Sequence, residues 1–292
     1  MASEIAHLAS RALIGVSGPD WRSFLQGLIT QDVETLQPGE MRYGALLAPQ
    51  GRLLNDLFIT GGEDGATLDV SAAARDGLIA KLTMYRLRAK VQIAALDAQV
   101  FAAWGDDAPP SIDGGWLADP RLRAIGWRGA SSSPVEGAKH EDAYVAHRLS
   151  HGVSDPEKDA VENDFPIEAN FDLLHGIDFK KGCFVGQETT SRMHRRGVVK
   201  TRMAPIRFEG AALPFGALVM AADRRAGEVR SSIDGLALAV FRIDRASGGG
   251  LTVEGRPVSL NPLPWLEHSF KNVDETPQST AKLGTEEENA DA

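Results

Sequence analysis

The chain has 292 residues, 43% of them hydrophobic and 24% charged, with a formal net charge of −9 and a single cysteine. No apolar run approaches the roughly 20 residues that span a bilayer, and the start MASEIAHLASRALIGV lacks a basic segment followed by an apolar signal core, so neither a membrane span nor a secretory leader is expected. One cysteine excludes an intrachain disulfide framework and suits a reducing compartment, so the protein is expected in the cytoplasm.

In chain order, Arg11 to Val16 reads as a strand. Ser17 and Pro19 then start a helix with Trp21, Phe24, Leu25 and Leu28 at helical spacing. Met41 to Ala48 and Arg52 to Thr60 form two strands joined at Pro49-Gln50-Gly51, and Ala66 to Val70 is a third. Ala72 to Tyr85 is helical in pattern, and Lys90 to Ala95 and Gln99 to Trp104 return to strand. Residues 105–118, rich in Gly, Pro and Asp, read as a loop, and Ser131 to Gly137 as a connector. Glu141 to Ser150 is a helix with acids in its first turn, where the helix dipole favours them. A second helix runs from after Gly186 to about Arg196. From Val198 the texture changes to short β-rich runs at 198–208, 217–221, 226–231, 235–241 and 251–260, which suggests a small β-barrel. Mixed α and β without regular βαβ alternation points to the α+β class. The expected domains are a body over 1–198, a barrel over 199–268 and a disordered acidic tail over 269–292.

Charge is unevenly spread. Residues 180–202 carry Lys180, Lys181, Arg192, Arg195, Arg196, Lys200 and Arg202 against Glu188 alone, whereas six acids and two lysines follow His268. A basic island on an acidic protein suggests a local anionic partner; the plainer reading is a solvated helix face.

The densest segment is Lys180-Lys181-Gly182-Cys183-Phe184-Val185-Gly186-Gln187-Glu188-Thr189-Thr190-Ser191-Arg192. Its cysteine lies near two glycines, and neighbouring ammonium groups favour thiolate over thiol. Free cysteine is also among the most often buried residues, so a packed thiol is the competing reading. Glu188 and Arg192 stand at i,i+4, a favourable helix pairing. His147 and His151 share that spacing, but no third ligand accompanies them and no metal site is expected.

The run KGC-aromatic-x-GQE with its following arginine resembles the signature of the YgfZ family, folate-binding relatives of the glycine-cleavage T-protein associated with iron–sulfur protein maturation. The stretches FLQGLITQDV (24–33), GRLLNDLFI (51–59), Asp119-Pro120-Arg121 with Gly126-Trp127-Arg128, and FPIEANFD (165–172) resemble other motifs of that family in the same order. The resemblance implies a three-lobed T-protein-like fold, its first two lobes interleaved in sequence, around a central opening that binds tetrahydrofolate or a derivative. It places Glu168 where the T-protein family holds its pterin-binding glutamate; a carboxylate matches a pterin's two-donor edge bidentately. It places Asp56 beside the folate, with Lys181, Gly182, Cys183, Gly186, Gln187, Glu188 and Arg192 as the motif loop and Cys183 as its functional thiol.

The aminomethyltransferases carry an Asp-Asp pair where this chain has Asn55-Asp56. Asn55 cannot take a proton at neutral pH, which puts one-carbon transfer in doubt. The implied role is therefore an accessory factor for assembly or repair of iron–sulfur proteins, including radical tRNA-modifying enzymes. A folate-dependent aminomethyltransferase is the alternative. An RNA-binding module is a third reading, but aromatics are not interleaved with the basic residues, and direct nucleic-acid binding is not expected. The implied partners are folate and iron–sulfur client or assembly proteins. One thiolate supplies at most one ligand to a shared cluster, since a stand-alone cluster takes about four.

Overall fold

The computed structural model describes residues 3–271, apart from 112, 160–163, 198, 247–248 and 262. The expected acidic tail thus lies almost wholly outside the described residues.

The chain opens with β1 (Glu4–His7) and β2 (Arg11–Ser17) and turns into α1 (Trp21–Gln26). β3 (Met41–Leu47), β4 (Leu53–Gly61) and β5 (Gly65–Ser71) form an antiparallel meander, followed by α2 (Arg75–Arg86) and β6 (Gln92–Leu96). The first sheet has the order β3-β4-β5-β2-β6. Strand alternation divides its two faces. Ile14, Val16, Leu57, Ile59, Leu68 and Val70 pack against Trp21, Phe24 and Leu25 of α1 and Leu78 and Leu82 of α2. The intervening residues Asp56, Phe58 and Asp69 face the other way, toward the rest of the molecule.

β7 (Gln99–Trp104), β8 (Leu117–Ala118) and β9 (Trp127–Ser131) complete a second sheet of order β1-β7-β9-β8. Its first strand is the N-terminal one, with Glu4 opposite Trp104, so the two sheets are interleaved along the chain. α3 (Glu141–Ser150), α4 (Pro156–Asp159) and α5 (Gln187–Arg196) lead to the barrel.

β10 (Thr201–Phe208), β11 (Leu218–Ala221), β12 (Arg224–Ile233), β13 (Leu236–Arg242), α6 (Ile243–Ala246), β14 (Leu251–Val253), β15 (Arg256–Leu260) and α7 (His268–Lys271) form the C-terminal part. Six strands close into a barrel of order β10-β13-β12-β11-β14-β15. The expected run at 251–260 is a hairpin, because Glu254 (φ 49°) and Gly255 (φ 80°) take the left-handed conformations that a tight hairpin turn uses. The sequence boundary at His268 falls inside the structure, since Phe270 of α7 is buried in the barrel core with Ile243, Ala246 and Leu266.

Candidate functional site

The motif loop docks on the N-terminal turn. After α1, Thr30 Oγ1 donates to the Gly176 carbonyl at 2.6 Å and accepts the Ala45 amide at 2.8 Å. Gln31 Nε2 donates to the carbonyls of Tyr43 and His175. The Asp178 carboxylate accepts the amides of Lys180 and Lys181 and bends the chain toward the cysteine. Lys181 then points inward. Its ammonium donates to the carbonyls of Gln26, Ile29 and Gln31 at 2.8, 2.7 and 2.8 Å, so all three protons are used. Burial lowers its pKa to about 8. Phe184 is buried, whereas Cys183 between them is exposed. The packed-thiol reading therefore fails. Of the two neighbouring ammonium groups expected to favour the thiolate, that of Lys181 is spent on backbone carbonyls about the end of α1.

The other end of the loop meets the β3–β4 turn. Gly186 takes φ 81° at the start of α5, and a Cβ there would lie 2.7 Å from the Ala48 carbonyl oxygen and 3.0 Å from Gly51 Cα. Only glycine fits that approach. His194 of α5 stacks on Phe179 at 3.6 Å between centroids. Glu188 and Arg192 are both exposed, and among the described residues no ion pair joins them, contrary to the expected pairing. Gln187, half-buried, begins the helix.

Glu168 comes to the same turn from the other side. Its carboxylate accepts the Phe165 amide at 3.1 Å, and the Arg52 guanidinium lies 3.8 Å from the Phe165 ring centroid. The Leu53 amide donates to the Asp164 carbonyl, and Met203 of β10 donates to the Glu168 carbonyl. Burial raises the Glu168 pKa, opposed by the Phe165 amide. The turn at 48–53 thus holds both the Glu168 segment and the end of the cysteine loop.

Asp56 goes elsewhere. Both of its carboxylate oxygens accept from Arg11 Nη1, at 2.9 and 3.1 Å, on the inward face of β4. Asp69 accepts from Arg11 Nε at 2.7 Å and from Arg128 Nε. Arg121 donates to Asp119 and to the Tyr144 hydroxyl, and Arg148 donates to Asp159 at 2.6 Å. Arg128, Arg121 and Arg11 lie 3.8, 4.7 and 5.5 Å from the Phe58 ring centroid, a cation–π cluster. Arg11, Asp56, Phe58, Arg121, Arg128 and Arg148 line a cavity of about 10 Å³, room for about one water molecule. Glu168 is not among its lining residues. Burial raises the Asp56 pKa against the pull of Arg11, whereas Asp69 between two arginines is lowered despite its burial. Tyr43 Oη and Arg148 Nε are buried without a hydrogen-bond partner among the described residues.

This arginine–carboxylate cluster is the part of the centre that sequence reasoning missed. The Asp119-Pro120-Arg121 and Gly126-Trp127-Arg128 motifs marked two of its arginines, but no local signal tied them to Asp56. His147 is also structural in its contacts, with Nε2 3.1 Å from the Ile125 carbonyl oxygen and its ring stacked on Trp104.

Residues 4–113 match the GCVT N-terminal domain family, and residues 200–268 match the CAF17 C-terminal beta-barrel domain. The fold is similar to that of glycine cleavage system aminomethyltransferase T from Bartonella henselae, with a TM-score of 0.74 over 91% of this chain and 86% of that one, at 19% identity. Fold and barrel together define a GcvT-like protein with a C-terminal β-barrel.

Three relatives narrow this class. The iron–sulfur cluster assembly factor IBA57 homolog of Mycosarcoma maydis is 36% identical over 72% of this chain and 59% of its own length. Those of Phaeosphaeria nodorum and Pyricularia oryzae are 32% and 31% identical, over 87% and 96% of this chain and 74% and 80% of theirs. The chain belongs to the IBA57 family. All three relatives are named mitochondrial, which overturns the expectation of a cytoplasmic protein. Among the described residues no helix is long and apolar enough to cross a membrane.

Proposed function

We propose that this protein is an accessory factor in the assembly or repair of iron–sulfur proteins, with Cys183 as its working thiol and Glu168 as its contact to tetrahydrofolate. The observation that carries the reading is the construction of the cysteine loop. Lys181 and Phe184 are anchored in the body on either side of an exposed Cys183. A thiol fixed at both flanks and open to solvent suits transient ligation or exchange with a partner protein. Such a thiolate would be one ligand of a shared cluster, with the remaining ligands coming from the partner. The names of the relatives support the same class of role.

The folate part of the reading rests on Glu168. Its acceptor oxygens fit a pterin edge, because a carboxylate that accepts the Phe165 amide and the Thr201 side chain keeps lone pairs for two further donors. Asp56 does not fit as arranged. Both of its oxygens are held by Arg11, and the cavity beside it is far smaller than a pterin. Bound at Glu168, tetrahydrofolate would supply a one-carbon carrier. Glu168 would orient its N–H edge, and the Phe165–Arg52 stack would wall that side. Asp56 lies within a paired ionic cluster, which weighs against the aminomethyltransferase alternative along with Asn55.

Complementation tests the reading. Cys183→Ser should keep the melting temperature of the parent protein yet fail to restore iron–sulfur enzyme activity in cells lacking it, with radical tRNA-modifying enzymes among the activities assayed. Full restoration by Cys183→Ser would remove the thiol from the function.

A further inference from the structure

Arg128 bridges the space between the two sheets. It stands on β9 opposite Ala102 of β7 and Leu117 of β8. Its Nε donates to Asp69 of β5, and its Cζ lies 3.8 Å from the ring centroid of Phe58 on β4. Its side chain is only 4% exposed, yet among the described residues no acceptor meets Nη1 or Nη2. Four of the five guanidinium protons are therefore unused. Arg11 beside it uses all three of its nitrogens, and Arg121 uses two. Buried guanidinium groups normally have acceptors, since an unmet buried donor costs its desolvation in full.

Arg128 lines two cavities. Along β4 the inward residues Asp56, Phe58 and Thr60 stand at the small arginine-lined cavity, at Arg128 and at a larger cavity in turn. The small one has room for about one water molecule, which cannot meet four protons. The larger one holds about 160 Å³. Leu13 and Val100, both buried, form its floor, and Thr60 and Thr67, paired across β4 and β5, form one wall. Gly115 and Ala130 line it and are exposed, which marks the mouth. The Ala130 amide donates to the Gly114 carbonyl at 2.8 Å. That loop comes close because residue 129 is glycine, where a Cβ would lie 2.6 Å from the same oxygen. Among the described residues, neither the cysteine loop, nor the barrel, nor Glu168 lines this cavity.

We infer that the larger cavity binds a small monocarboxylate with a compact apolar body, its carboxylate held bidentately by Nη1 and Nη2 of Arg128. A guanidinium fork matches a carboxylate in its plane. The apolar floor and a volume near the roughly 150 Å³ that admits a benzene ring set the size of the body. Asp69 on Arg128 and Asp56 on Arg11 repel a second negative charge, which selects a monoanion. A pterin does not suit the site, because its two-donor edge would meet a guanidinium that only donates. The cavity is a second ligand site, separate from the folate contact at Glu168 and from the role of Cys183, and it rests on neither.

Titration of the full chain with benzoate and isovalerate, followed by calorimetry and ligand-observed NMR, tests it. Benzoate should bind at about 1 mM or tighter. Methyl benzoate should bind at least about ten-fold more weakly, the loss of charged hydrogen bonds. Arg128→Lys should show a similar loss, since lysine keeps a cation for Asp69 but has no fork. Thr67→Leu fills the cavity from β5 and should abolish binding with the melting temperature held within a few degrees. It decides the matter if Arg128→Lys fails to fold. Tetrahydrofolate should not displace benzoate. Failure of both acids to bind, equal affinity for acid and ester, unimpaired binding by either folded variant, or displacement by tetrahydrofolate would each overturn the site.

Discussion

The Lys181 ammonium and the Ile29 carbonyl lie 152 positions apart in sequence and 2.7 Å apart in the fold. Gln26 and Gln31 supply the other two carbonyls. The FLQGLITQDV and KGC segments are therefore two halves of one structure. The first offers a ring of carbonyls after a short helix, and the second inserts the cation that satisfies them, leaving the next side chain but one, Cys183, outside.

Lys181→Met should destabilise the protein by about 1–3 kcal/mol, because three carbonyls lose their donor. The pH dependence is sharper. Burial holds the folded pKa at about 8, below the 10.5 of the free side chain. Between those values the unfolded chain binds more protons than the folded one, so the Lys181 contribution grows more favourable as pH rises. Urea unfolding of both proteins at pH 7.5 and 10 should show the gap widening. A gap that closes would mean that the carbonyl bonds favour the ammonium more than burial opposes it.

In the arginine cluster Asp69 should matter more than Asp56. Asp69 is shared by Arg11 and Arg128, whereas Asp56 serves Arg11 alone. Asp69→Asn leaves two buried guanidinium groups short of an anion and should cost about 3–5 kcal/mol, the usual range for breaking a buried pair. Asp56→Asn should cost clearly less, since Arg11 keeps Asp69 and the Asp56 carboxylate is itself disfavoured by burial. Denaturant midpoints rank the two. The reverse order would show that Asp56 anchors the cluster.

Glu168→Gln should weaken tetrahydrofolate binding by about 10- to 150-fold, the loss of a charged acceptor worth about 1.5–3 kcal/mol. Asp56→Asn should leave that affinity within a few-fold. Calorimetric titration of the three proteins decides between the residues. Loss of binding in Asp56→Asn with an intact fold would return folate to the arginine-lined centre.

A chain stopped after Lys271 should melt within a few degrees of the full chain. Stopping after His268 removes Phe270, which is 7% exposed in the barrel core, and should cost about 3–5 kcal/mol. Equal melting temperatures would show that α7 contributes nothing to the barrel.

The sequence by itself determined the elements with strong local signals. Helical spacing marked α1, an acid-rich first turn marked α3, and the glycines at 186 and 197 bracketed α5. Closely spaced turns marked the barrel, and the linear motifs marked the class and the exposed cysteine loop. β1 escaped because four residues carry too little alternation to stand out, and it exists through its pairing with β7. The tertiary structure decided which charges meet. Lys180 and Lys181 are chemically alike in the sequence, yet one stays at the surface and the other fills a carbonyl ring, because only the second is aligned with the turn after α1. Asp56 and Glu168 both read as folate contacts, but strand alternation aims Asp56 at Arg11, whereas the turn at 165–168 folds the Glu168 carboxylate onto the Phe165 amide in a segment that docks on the β3–β4 hairpin. Partner choice among charged side chains depends on contacts between segments far apart in the chain, and no local pattern encodes it.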